Sequence, residues 1–223
     1  MFDWFFALAV VLVIGIYIRA IYFTPIEATQ GPVQKIYYVH VPAAVAAYLA
    51  VSLMALASIG FLWLGDDRAD RLAAASAEVG LVFISVVLTT GPMWAKQQWG
   101  TYWVWWDMRL TLTLFLAFVI ASYIVMRGAI EDDAMRARYS AVLGILAALL
   151  IPFIHLSVYL FQARLHPMPV AFKPGTPSMS PEMMWTFFPS MIVFSILCIA
   201  FIRARYRLSV VRELAAAGEL HAS

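Results

Sequence analysis

Charge is scarce in this chain: Asp, Glu, Lys and Arg together make up 13% of its 223 residues, against roughly 25% in a typical soluble domain. So little charge, beside 64% hydrophobic residues, excludes an ordinary water-soluble domain. Cysteine is scarcer still. The lone Cys198 excludes an internal disulfide and a Cys-x-x-Cys redox pair, and its place in an apolar run reads as that of a small packing residue. There is no phosphate-binding glycine loop, so any nucleotide used in the chain's work belongs to another subunit. No Ser/His/Asp or Cys/His grouping stands out, which points away from an enzyme. Membrane lipid is the expected surrounding, and no nucleic-acid partner is expected.

Long apolar runs are what the chain has instead. Six of them, at 5–22, 43–65, 74–93, 110–126, 140–161 and 183–202, are long enough to cross ~30 Å of hydrocarbon at about 1.5 Å per residue. They are apolar on every face rather than alternating, which makes them helices and not barrel strands. The predicted fold class is all-α: a polytopic membrane protein of six transmembrane helices, one domain over residues 1–223. The first run lacks a basic stretch before it and is too long for a signal peptide, so it is read as a retained span. Lys and Arg set the orientation. Nine (Arg68, Arg71, Arg127, Arg136, Arg138, Arg203, Arg205, Arg207 and Arg212) fall on one side, and six (Arg19, Lys35, Lys96, Arg109, Arg164 and Lys173) on the other. The richer side, with both termini, is expected in the cytoplasm. The tail from Arg203 reads as an amphipathic helix at the lipid surface.

The outer connections, 23–42, 94–109 and 162–182, are the longer ones and are rich in Pro, Gly and aromatics, which is where function concentrates on a rigid scaffold. The second is the most informative stretch of the chain. Five of the eight tryptophans fall between Trp94 and Trp106, and the run closes on Asp107 and Arg109. Such a surface suits a large, flat, amphiphilic ligand. The plainer alternative is a belt of Trp at the headgroup level, but belt residues scatter over many helix ends. Trp99, Trp103 and Trp106 have the spacing of one helical face, so a short interfacial helix is expected, with Trp105 turned elsewhere. Asp107 is placed to cap the fourth span. Ser180-Pro181-Glu182 reads as the start of the sixth, and Pro152 as a kink in the fifth.

Of four histidines, His221 lies in the tail. His40 and His166 stand in outer connections on either side of the Trp run in sequence. Neutral imidazole is a common donor to heme iron, and two from opposite sides complete its axial positions. A loop histidine is more often an ordinary polar residue, and the pairing with an aromatic surface shifts that balance. His155 sits inside the fifth span, where an ionisable group is a functional candidate or a group satisfied by a neighbouring helix. Lys96, Arg109 and Arg164 are the cations near this surface, suited to the carboxylates of heme or to lipid headgroups.

Gly91-Pro92-Met93-Trp94-Ala95-Lys96, then Trp99-Gly100-Thr101-Tyr102-Trp103 and Asp107-Met108-Arg109-Leu110-Thr111, resemble the tryptophan-rich signature of the heme exporter protein C (CcmC) family of cytochrome c maturation. The His-Val-Pro at His40, the length and the six spans are similar to that family too, so the resemblance covers nearly the whole chain. It implies a protein of the bacterial inner membrane that holds b-type heme transiently and without a covalent bond. Trp94, Trp99, Trp103, Trp105, Trp106, Asp107 and Arg109 would form the periplasmic heme surface, with His40 and His166 as axial ligands. It further implies delivery of heme to the chaperone CcmE, and the subunits CcmA, CcmB and CcmD as companions.

Two departures from the family pattern stand out. The Trp105-Trp106 pair adds one residue before Asp107, and the stretch from Ser157 to His166 is one residue longer. An inserted residue turns a helical face by about 100°, which leaves open which Trp faces heme and keeps His155 as the alternative to His166. A different class, an intramembrane bis-histidine electron carrier, would need ligands inside the spans, where only His155 lies.

Overall fold

The computed structural model describes residues 3–160, 179–216 and Gly218. His166, Arg164, Lys173 and His221 lie outside the described residues. Among the described residues there are six α-helices: α1 Trp4–Ile18, α2 Tyr37–Leu64, α3 Asp67–Trp99, α4 Met108–Ala129, α5 Asp133–Leu160 and α6 Pro181–Ala216. Each is long and apolar enough to cross a membrane, α1 together with the turn that follows it to Phe23. A π-helical turn, Arg19–Phe23, prolongs α1, and a 3-10 turn, Pro32–Ile36, runs straight into α2.

The centre of the bundle is α2, which packs against α3, α5 and α6. Small residues bring it close. Ala43, Ala46, Ala47 and Ala50 are fully buried, spaced to lie on one stripe of α2. Facing them, Gly80 of α3 leaves room for the Ala50 methyl, and a Cβ added there would stand 3.5 Å from it. In lipid there is no hydrophobic gain from pairing helices, so such close backbone approach supplies the packing instead.

One end of the bundle is tied by ion pairs. Arg127 of α4 grips Asp70 of α3 with two bonds of 2.6 and 2.7 Å. Arg205 of α6 pairs with Glu78 of α3, Arg71 with Glu213, and Arg207 with Asp3 at 2.7 Å. The Asp3 carboxylate also caps α1 through the Phe5 and Phe6 amides. These bonds and the cations beside it hold its pKa below the usual carboxylate range. The pairs place the start of α1 and the end of α6 at the same face. They also correct the expectation of a separate surface helix in the tail. From Arg203 the chain continues α6, a single helix of 36 residues, docked on α1 and α3 by its arginines.

Two helices carry site residues beyond the ends of their apolar runs. Residues 37–42 join α2, so His40 stands on its opening turns, and Pro42 lies inside the helix, where it has no amide to give the Tyr38 carbonyl. Residues 94–99 join α3, so Trp94 and Trp99 are helical. Gly100, at φ 76°, then stops the helix in the left-handed conformation with its amide on the Lys96 carbonyl. Residues 101–107 form an irregular connection. The expected helical face of Trp99, Trp103 and Trp106 therefore does not form.

Candidate functional site

At the end opposite the ion pairs, α2, α3, α4 and α5 splay around a cleft of about 300 Å³, at the lower edge of ligand-pocket volumes. His40, Trp94, Trp99, Trp103, Arg109 and His155 all line it. The walls between them are apolar, among them Ala44 and Val45 of α2 and Val87 and Leu88 of α3. The helix ends deliver these groups. His40 comes from the start of α2, Trp94 and Trp99 from the last turns of α3, Arg109 from the first turn of α4 and His155 from near the end of α5.

Trp94 and Trp99 meet edge to face at 5.3 Å. The Trp94 indole donates to Gln30 Oε1 at 2.9 Å. Gln30 sits in a turn whose Thr29 and Gln30 amides both donate to the Glu27 carboxylate. Those bonds hold the Glu27 pKa below its ordinary value, so the turn is formed at neutral pH and weakens only as acid protonates that carboxylate. Lys35 fixes the same region from the other side, donating to the Ala20, Ile21 and Thr24 carbonyls at 2.6–3.0 Å. A cation at the end of α1 and its π turn satisfies carbonyls that have no helical partner.

Trp103 folds back from the connection to line the cleft, with Trp105 against it at 5.7 Å. Trp105 and Trp106 are themselves exposed, at 68% and 83%, and are not among the lining residues. Asp107 is buried and accepts from the Leu110 amide at 3.1 Å, capping α4. It thereby sets where Arg109 emerges. Two buried donors in the cleft walls have no acceptor among the described residues, Trp103 Nε1 and Arg109 Nε. An unpaired buried N–H costs about 1–3 kcal/mol, and both donors are available to acceptor atoms from outside the chain.

The imidazole of His40 lies against α3, with Nδ1 2.9 Å from Thr90 Oγ1. His155 has Nδ1 3.1 Å from the Ile151 carbonyl, which can only accept, and meets the Tyr48 ring edge to face at 5.1 Å. Sequence reasoning overlooked Thr90, which sits inside an apolar run with no motif to mark it, and quoted Gly91 in the tryptophan-rich motif without giving it a role; the helix packing brings both to His40.

The sequence model of the family described as Heme exporter protein C matches residues 1–220. Heme exporter protein C of Bradyrhizobium diazoefficiens is 32% identical over 207 residues, 93% of this chain and 77% of that one. The Haemophilus influenzae protein of the same name is 31% identical over 208 residues, 93% of this chain and 83% of its own length. That of Escherichia coli is 38% identical over 153 residues, 68% of this chain and 61% of the relative. The match runs through the helices that build the cleft, and this chain belongs to the heme exporter protein C family.

Proposed function

We propose that this protein holds heme in the cleft between α2, α3, α4 and α5 and passes it on to the heme chaperone CcmE during cytochrome c maturation. The observation that supports the reading most is the convergence of His40, three Trp rings and Arg109 on one cleft from four elements. These residues fit heme chemically. The Trp94, Trp99 and Trp103 rings and the apolar walls suit the flat macrocycle. Arg109 and the Trp103 indole offer N–H donors to carboxylates, and His40 offers a nitrogen to iron. Burial of apolar surface supplies affinity at roughly 25 cal/mol per Å², with no covalent bond, which suits a cargo that must leave.

His40 and His166 are the axial ligands in this reading, and Trp105 and Trp106 extend the aromatic surface toward the partner that collects heme. The arginine-rich face of the ion pairs is cytoplasmic and the cleft periplasmic, in the bacterial inner membrane. The chain has no reaction of its own. CcmA supplies nucleotide hydrolysis, with CcmB and CcmD as further companions.

One observation favours a second reading. His155 lines the same cleft as His40, so the two together suit a firmly held bis-histidine heme in electron transfer. Heme transfer separates the readings. Heme-loaded protein in detergent, mixed with purified apo-CcmE, should lose heme to the chaperone, detected by separating the two proteins and taking their absorption spectra. Heme that stays in place and depends on His155 overturns delivery in favour of electron transfer.

A further inference from the structure

The reading of His40 as a heme ligand leaves open what orients its ring, and α3 supplies the means. Thr90 Oγ1 donates to the Val86 carbonyl at 2.7 Å, the back-bond of a helical threonine. The same oxygen lies 2.9 Å from His40 Nδ1. A hydroxyl has one proton and two lone pairs. With its proton on Val86, the Thr90 oxygen faces His40 as an acceptor. The tautomer of neutral His40 that donates to this oxygen from Nδ1 is the one with its lone pair on Nε2. Gly91 meets the same edge of the ring. A Cβ added there would stand 3.1 Å from His40 Cε1 and 3.7 Å from Nδ1. A methyl group at that place forces the imidazole to shift.

We propose that Thr90 and Gly91 form a positioning cradle for His40, in which Thr90 selects the tautomer that presents Nε2 to iron and Gly91 lets the ring lie close against α3. The part concerning iron rests on the heme reading above, whereas the tautomer rests on the Thr90 contacts with Val86 and His40. A partner on the second nitrogen of a metal-bound imidazole fixes both its tautomer and its orientation, and losing that partner typically costs about 10–100-fold in metal affinity. Neither residue touches the iron in this assignment. Both act through His40.

The test uses the full chain in detergent. Thr90→Val keeps the shape and removes the acceptor, and Thr90→Ser keeps the acceptor. In heme-free protein labelled with 15N-histidine, the His40 signals, identified by their loss in His40→Ala, should show a protonated Nδ1 in wild type and Thr90→Ser. Thr90→Val should lose that preference. In heme titrations followed by absorption, Thr90→Val should bind about 10–100-fold more weakly, and Thr90→Ser close to wild type. Gly91→Ala should bind more weakly with a shifted absorption band. In a His40→Ala background, Thr90→Val should add no further loss. A proton on Nε2 in wild type overturns the tautomer assignment. Wild-type affinity in Thr90→Val, or the same loss with and without His40, overturns the positioning role. Unchanged heme binding in His40→Ala overturns the heme reading instead, and the labelled spectra then decide the tautomer by themselves.

Discussion

Trp103 and Trp106 stand three residues apart and do different things. The first lines the cleft with a buried indole N–H that lacks an acceptor. The second is 83% exposed. Trp103→Phe keeps an aromatic face and removes the donor, so heme binding should weaken about 5–10-fold, the worth of one hydrogen bond of ~1 kcal/mol. Trp106→Phe should leave affinity unchanged and slow transfer to the chaperone. Titration and transfer measured on both variants check this, and equal loss of affinity in the two contradicts the division of roles. Spacing alone could not have separated them. A helical wheel puts both on one face, but Gly100 ends the helix first.

The connection between α3 and α4 is pinned at both ends. Gly100 adopts φ 76°, where a side chain costs roughly 1–2 kcal/mol, and Asp107 caps α4 with a bond of 3.1 Å to the Leu110 amide. Gly100→Ala and Asp107→Ala should each lower stability in detergent, the second by about 1 kcal/mol, and both should weaken heme binding by displacing Trp103 and Arg109. A lower melting temperature with heme binding intact would show the connection to be structural only. The cap on α4 was legible in the sequence because an Asp stands directly before an apolar run. Helix ends at His40 and at Trp94 and Trp99 were not. Hydropathy marks the hydrocarbon-spanning part of a helix, whereas α2 and α3 run past it by six residues each, carrying site residues that a hydropathy reading assigns to loops.

Across the whole molecule, the two ends of the bundle have opposite character: ion pairs at one, an aromatic cleft at the other. Arg127 and Asp70 are each less than a fifth exposed and doubly bonded. Arg127→Ala should therefore cost on the order of 2 kcal/mol. Arg136→Ala should cost nothing measurable, because its partner Asp133 is 85% exposed. Thermal melting in detergent compares them. The orientation proposed from Lys and Arg counts is open to labelling, since native Cys198 is fully buried. A membrane-impermeant thiol reagent should reach Gln97→Cys from the periplasmic side of intact cells and Asp132→Cys only after lysis. The reverse pattern inverts the topology. Six spans were legible because long apolar runs decide them. The cleft was not, because four helices build it, and no local pattern records which helices are neighbours.

The most direct test is a heme titration of the detergent-purified chain by absorption, wild type beside His40→Ala, His166→Ala and His155→Ala. Loss of affinity and a changed spectrum in the His40 and His166 variants, with His155→Ala close to wild type, is the predicted result. Unchanged binding in His40→Ala, or heme that depends on His155 alone, contradicts the account.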